Sequence, residues 1–277
     1  MCGIAGVWLR KGDDAVARTL ALSRALVMYG REGTGVAWVE DGRIKVVKDT
    51  VSPLKFTPPE AKAKVAISHN RLPSVGRISL QNCHPFLSCD ERFAVVHNGT
   101  FLHYRLVRTL LNGVHKIQGE TDAEVITHML CDRADQVGWI KLLQVLDGQR
   151  LIILFRDGSI MAKGCILYQL EKRAGWAIVN YEEGLSGLPE GNTIYRCEDN
   201  TVSVIDAKGK LTHYGKVVRD TYRKRRTWST WRESYGLYNW DEDRRCVSCG
   251  AKLEKWEKEL CWACEEELWR GNRWRKW

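Results

Sequence analysis

Two groups of residues in the 277-residue sequence have types and spacing suited to chemistry, and they lie at opposite ends. The first is Cys2, within Met1-Cys2-Gly3-Ile4-Ala5-Gly6. If Met1 is removed, Cys2 carries a thiol and a free α-amine in one residue. The α-amine has a reference pKa of about 8, so it can serve as a base near neutral pH. A nucleophile activated by an adjacent base is the logic of covalent catalysis. Gly3 adds no bulk beside the thiol, and Ile4, Ala5, Val7 and Trp8 are apolar enough for a buried strand. One Cys near a terminus is a weak signal taken alone, and it is as readily an ordinary residue. The second group is Cys246-x2-Cys249 and Cys261-x2-Cys264, with eleven residues between the pairs. Four thiolates at this spacing suit a tetrahedral structural zinc ion, which would supply folding free energy that so short a segment lacks. Free or redox thiols are the alternative. With four protein ligands no position stays open, so such a zinc is structural rather than catalytic.

The elements that would position these groups follow from composition and pattern. A chain of this length, 44% hydrophobic, accommodates one sizeable domain and a small appendage. No run approaches the 18 or so apolar residues of a membrane span. Arg10, Lys11, Asp13 and Asp14 interrupt any signal-peptide core, so a cytoplasmic location is expected. In that reducing setting the ten cysteines read as thiols and metal ligands, not disulfides. A helix is predicted from about Asp14 to Met28, then a hairpin across Asp41-Gly42. Short apolar strands at 65–68 and 93–96 lead into Ser68-His69-Asn70-Arg71-Leu72 and His97-Asn98-Gly99-Thr100. Helices are expected near 101–111, 123–132 and 138–146, with a second hairpin across Asp157-Gly158 and strand-like pieces at 176–180, 193–196 and 201–205. Strand runs separated by helices suggest stacked sheets with helices outside, in one domain ending near residue 215.

The ordered set Cys2-Gly3-Ile4-Ala5-Gly6, Ser68–Leu72, His97-Asn98-Gly99 and Glu120-Thr121-Asp122-Ala123-Glu124 resembles the class II glutamine amidotransferases, which belong to the N-terminal-nucleophile hydrolases. Asn82-Cys83-His84-Pro85 and Leu146-Asp147-Gly148 are similar to further landmarks of that family. The resemblance covers about residues 2–210. It implies an α+β fold, a four-layer αββα sandwich, and hydrolysis of the glutamine side-chain amide without a cofactor. Residue by residue, it implies Cys2 as nucleophile with its own α-amine as base. Asn98, through its side-chain amide, and Gly99, through its backbone N–H, would form an oxyanion hole. Arg71 would bind the glutamine carboxylate and Asp122 its ammonium group. Taken singly, Arg71 and Asp122 read as surface charges and Asn98-Gly99 as a turn; His69, His84 and His97 read as packed residues that this mechanism does not require. One departure stands out. The family carries an Arg-Gly pair after the first helix where this chain has Tyr29-Gly30, and Arg31 is the nearby candidate to compensate.

Beyond residue 215 the composition changes. Eight of the twelve Trp follow Thr227, and the basic run Arg223–Arg226 falls in a segment, 216–243, that reads as a linker to the four-cysteine module at 244–277. No synthetase-type or dinucleotide motif follows residue 215, so ammonia would pass to a separate synthetase or acceptor protein. The net charge of +9 and the Arg/Trp-rich tail permit nucleic-acid contact and a role in nucleobase modification. Acidic residues of the tail offset much of that charge, which favours a protein partner. The rival function is a scaffold that has lost catalysis and works through its zinc module.

Overall fold

The computed structural model describes residues 2–132 and 136–223. In chain order they form β1 (Gly3–Leu9), α1 (Ala15–Ala25), β2 (Thr34–Glu40), β3 (Arg43–Asp49), β4 (Val65–Asn70), β5 (Phe86–Leu87) and β6 (Phe93–Asn98). There follow α2 (Tyr104–Leu111), α3 (Asp122–Cys131), α4 (Gln136–Val145), β7 (Arg150–Phe155), β8 (Ile160–Lys163), β9 (Ile166–Gln169) and β10 (Gly175–Val179). The series closes with β11 (Thr193–Cys197), β12 (Val202–Ile205), β13 (Leu211–Tyr214) and β14 (Val217–Thr221).

The strands make two antiparallel sheets, one of eight in the order β14-β11-β9-β10-β1-β4-β2-β3 and one of six in the order β13-β12-β8-β7-β6-β5. Successive strand residues point to opposite faces, and that period sorts the layers. Ala94 and Val96 of β6, with Ile152 and Leu154 of β7, pack with Ile4 and Trp8 of β1 and Ile67 of β4 between the sheets. The intervening Phe93, Val95, Leu151 and Ile153 turn the other way and pack with Ile126 and Leu130 of α3 and Trp139 and Leu143 of α4. On the far side α1 lies on β1 and β4, with Thr19 Oγ1 donating to the Ala66 carbonyl. The order is helix, sheet, sheet, helix. The two inner faces are almost wholly apolar, and their burial is the main source of stability.

The expected helices and hairpins are present, with ends shifted by a few residues. The first hairpin turns at Asp41 and Gly42, both with positive φ (50° and 68°), the geometry of a tight two-residue loop. The strand pairing runs further than the expected boundary at 215: β14 pairs with β11 from Val217 to Thr221. Tyr222 is buried, its hydroxyl donating to the Leu185 carbonyl. The segment read as the start of a linker is therefore an edge strand. One compact unit spans Met1–Tyr222. The four-cysteine segment and the basic, Trp-rich stretch before it lie outside the described residues. Among the described residues no helix is long and apolar enough to cross a membrane, and six cysteines are free thiols.

Candidate active site

Cys2 enters β1 at the centre of the larger sheet, where Gly3 pairs with Asn70 of β4 and Ala5 with Val179 of β10. Three hydrogen bonds fix the main chain of Cys2 and Ile4. The Cys2 nitrogen donates to Asn98 Oδ1 at 2.8 Å. Asn180 Nδ2 donates to the Cys2 carbonyl at 2.7 Å, while Asn180 Oδ1 accepts from the Ile4 N–H at 3.0 Å. The Cys2 sulfur rests against the main chain of Leu72, 3.4 Å from both its nitrogen and its carbonyl oxygen. Burial pushes the thiol above its ordinary pKa. The Leu72 hydrogen bond, the charge of the chain's amino terminus and Arg71 oppose that rise, and Asp122 adds to it. The group is thus a thiol at rest and needs a base to become a nucleophile.

Cys2, Arg71, Gly99 and Asp122, far apart in the chain, line one cleft together with Thr121, His84, His97 and the segment Leu72–Val75. Arg71 follows β4 and is 2% exposed. Its Nη2 donates to the carbonyls of Val75 (3.0 Å) and Gly76 (3.1 Å). Its Nη1 is buried without a hydrogen-bond partner. Such a site is costly for a guanidinium unless an anion joins it. The chain comes close here because Gly30 lacks a side chain: a Cβ would meet the Asn70 carbonyl oxygen at 2.4 Å.

Asp122 is the first residue of α3, 4% exposed. Its Oδ2 accepts the Phe101 N–H at 2.7 Å and its Oδ1 that of Ala123 at 3.0 Å, and the helix N-terminus favours a carboxylate. Thr121 caps the helix by accepting from the Glu124 N–H. Glu124 in turn accepts from the N–H groups of Gln118 and Gly119, and Asn82 Oδ1 accepts the Glu120 N–H. These ties fix the approach to the helix and hence the position of Asp122.

The three histidines form a buried column beneath the cleft. His69 and His84 stack with ring centroids 3.8 Å apart, and His84 and His97 lie parallel at 6.4 Å. Burial depresses all three; His69 falls to about 3, with the neighbouring His97 adding to the effect, and His84 falls well below its ordinary value. For His97, Asp122 and the Gln149 hydrogen bond work against burial. They are packed, neutral imidazoles at neutral pH, in line with their reading from the sequence.

At the Tyr29 departure the structure shows a different arrangement from an arginine after the first helix. Tyr29 stacks on Tyr181 with centroids 3.9 Å apart, and Asn98 Nδ2 donates to the Tyr181 hydroxyl at 3.2 Å. A guanidinium is present, but it comes from β7. Arg150 lies 5.3 Å from the Tyr181 ring centroid and its Nη1 donates to the Asn180 carbonyl. Arg31 is exposed at the surface. Asn180, Tyr181 and Arg150 were not singled out from the sequence. The available signal was an Asn closing the apolar run Trp176–Val179.

Cys246, Cys249, Cys261 and Cys264 lie outside the described residues. Among the described residues, Cys89, His115, His128 and Cys131 bring metal-binding atoms within 4.8 Å of one another; none of them lines the cleft.

A helix–sheet–sheet–helix domain whose cleft is lined by Cys2, Arg71 and Asp122, with Asn98 on the Cys2 nitrogen, defines a recognisable class, and comparison with known proteins identifies it. The family model of class-II glutamine amidotransferases matches residues 15–156, just over half of the chain, and the chain belongs to that family. The matched stretch contains Arg71, Asn98, Gly99 and Asp122. Among curated relatives, the glutamine–fructose-6-phosphate aminotransferase of Aquifex aeolicus is 36% identical over 138 residues, 47% of this chain and 22% of that protein. The chloroplastic amidophosphoribosyltransferase of Glycine max is 33% identical over 176 residues, 58% of this chain and 30% of that one. The chain therefore spans less than a third of either relative. The solved glutamine phosphoribosylpyrophosphate amidotransferase of B. subtilis superposes with a TM-score of 0.65 at 18% identity, covering 77% of this chain and 49% of that one, a likeness of fold.

Proposed function

We propose that this chain hydrolyses the side-chain amide of glutamine at Cys2, giving glutamate and ammonia for a separate acceptor. One observation carries the reading: Arg71, whose Nη1 is buried and unpartnered, lines the same cleft as Cys2 and Asp122. A fixed cation and a fixed anion flanking a thiol suit an amino-acid zwitterion, and a guanidinium is well matched to a carboxylate. In the chain as it stands the Cys2 nitrogen is a peptide nitrogen. Removal of Met1 turns it into an amine in the place where Asn98 Oδ1 already receives it.

The amine then takes the thiol proton, and sulfur attacks the amide carbon. The carbonyl π pair moves to oxygen, and the role assigned to the Asn98 amide and the Gly99 N–H is to stabilise the developing charge. Such preorganised donors contribute several kcal/mol in other enzymes. The amine returns its proton to the leaving nitrogen, the C–N bond breaks, and ammonia departs from a γ-glutamyl thioester. Water, deprotonated by the same amine, cleaves the thioester to glutamate. The cleft has about 20 Å³ of free space, room for about one water and far less than glutamine needs, so its lining must move to admit the substrate. The spacing of the four-cysteine segment supports a structural zinc there, and we propose that this segment docks the acceptor protein.

Glutamate release from glutamine by protein lacking Met1 tests this, beside Cys2→Ala and a form with a blocked N-terminus. Activity in the first and loss in both others is expected; equal turnover in all three refutes Cys2 as the nucleophile. Arg71→Met is expected to raise KM for glutamine at least a hundredfold, since it removes the carboxylate's buried partner.

A further inference from the structure

We propose that Cys89, His115, His128 and Cys131 form a four-coordinate zinc site inside the amidotransferase domain, separate from the cysteines of the C-terminal segment. His128 and Cys131 lie three residues apart on α3, a spacing that puts both on one face of a helix. Cys89 comes from the turn between β5 and β6, and His115 from the loop between α2 and α3. The chain thus brings four soft or borderline donors from three segments to one point, all within 4.8 Å.

The sulfur–sulfur distance is the one a metal would impose, and the two sulfur–nitrogen distances lie about 0.3 Å inside the value it would set for them. With metal–sulfur bonds of about 2.3 Å and metal–nitrogen bonds of about 2.0 Å, tetrahedral geometry places two sulfurs about 3.8 Å apart and a sulfur and a nitrogen about 3.5 Å apart. Here Cys89 Sγ lies 3.8 Å from Cys131 Sγ. It lies 3.2 Å from His115 Nδ1 and 3.2 Å from His128 Nδ1. Both imidazoles turn Nδ1 to the Cys89 sulfur, the arrangement in which two neutral rings and two thiolates would hold one dication.

The surroundings point the same way. His115 Nε2 lies 3.0 Å from Asp132 Oδ1. A carboxylate there holds the proton on Nε2 and leaves the Nδ1 lone pair facing the cluster. This is the carboxylate–histidine arrangement that orients metal-binding imidazoles. Two sulfurs and two nitrogens in a tetrahedral set select zinc over calcium or magnesium, which prefer oxygen. All four positions are filled by protein, so the site is structural: it ties the β5–β6 turn and the α2–α3 loop to the C-terminal half of α3.

Zinc per chain is measured in the purified full-length protein and in Cys89→Ser/Cys131→Ser. The double variant is expected to hold one zinc fewer. A second measurement covers the case in which that variant does not fold. X-ray absorption at the zinc edge is recorded on the full chain carrying Cys246→Ser, Cys249→Ser, Cys261→Ser and Cys264→Ser, with a shell of two sulfurs and two nitrogens expected. Equal zinc in parent and double variant overturns the proposal. So does a C-terminal variant that folds without zinc, or a Cys89–Cys131 disulfide found by mass spectrometry in the native protein.

Discussion

Gly99→Ala would probe the wall behind the reacting atoms. Gly99 has a φ of 149°, where an L side chain costs about 1–3 kcal/mol. An added Cβ would lie 2.4 Å from Gln149 Oε1, 3.0 Å from its Cδ and 3.1 Å from His97 Nε2. Gln149 is not free to step aside. Its Oε1 pairs with His97 Nε2 at 2.6 Å, and its Nε2 donates to the carbonyls of Thr100 and Asp147. Releasing it forfeits three hydrogen bonds of about 1 kcal/mol each, so with the backbone term the substitution costs about 4–6 kcal/mol. At roughly 2–4 °C per kcal/mol for a domain of this size, the melting temperature falls by about 8–24 °C. If instead Gln149 holds and the strand end shifts, the Gly99 N–H leaves its place and glutamate release drops about a hundredfold or more. A double-mutant cycle separates the two causes. In a Gln149→Ala background the methyl has lost its main obstacle, and Gly99→Ala should cost only the backbone term, about 2 kcal/mol. Melting curves and glutamate assays on the four proteins read this directly. The same cost in both backgrounds, or a Gly99→Ala protein with parental melting and turnover, would refute the reasoning.

Tyr181→Phe removes the hydroxyl that accepts from Asn98 Nδ2 but keeps the ring stacked on Tyr29. With about 1 kcal/mol at stake, kcat/KM for glutamine is expected to fall three- to tenfold while the melting temperature moves little; steady-state kinetics beside a melt decide it. The histidine column sets an acid limit on stability. His69, held near 3 when folded and near 6.5 when unfolded, takes up its proton first in the unfolded chain. Its contribution is complete above pH 6.5 and lost progressively as pH falls toward 3, by about 2 kcal/mol at pH 5. Urea midpoints at pH 8, 6.5 and 5 should be level over the first interval and drop over the second; no drop would mean that the imidazole is not neutral.

The parts of the fold that the sequence announced are those governed by local rules. The Asp41-Gly42 hairpin follows from two residues that tolerate positive φ, and the strands at β6 and β7 follow from unbroken apolar runs. Cys2, Arg71, Asn98, Gly99 and Asp122 could be singled out because the short stretches that hold them, taken in order, resemble a known family; taken singly, Arg71 and Asp122 read as surface charges and Asn98-Gly99 as a turn. What escaped notice depends on pairings distant in the chain. β9, β13 and β14 are short or polar, and they are strands because a neighbouring edge supplies hydrogen bonds. Asn180 reaches Cys2 across 178 positions, and no pattern local to either residue encodes that contact. Arg150 opposite Asn98 is a matter of sheet register, which the sequence does not print. The Cys89–His115–His128–Cys131 group has the same character: only His128 and Cys131 share a helix, and the other two arrive from separate turns.

The place of β1 has a consequence for how the protein is made. Its seven residues sit between β4 and β10, yet the partner β10 begins at Gly175, after the ribosome has added more than 160 further residues. At about 5–20 residues per second, Gly3–Leu9 waits on the order of 10–30 s as an apolar strand with one edge unclaimed. During that interval it is open to pairing with another nascent chain, and a folding helper that shields short apolar strands would act then. The removal of Met1 proposed above would meet the least obstruction in the same interval, before Asn180 closes on the Cys2 carbonyl.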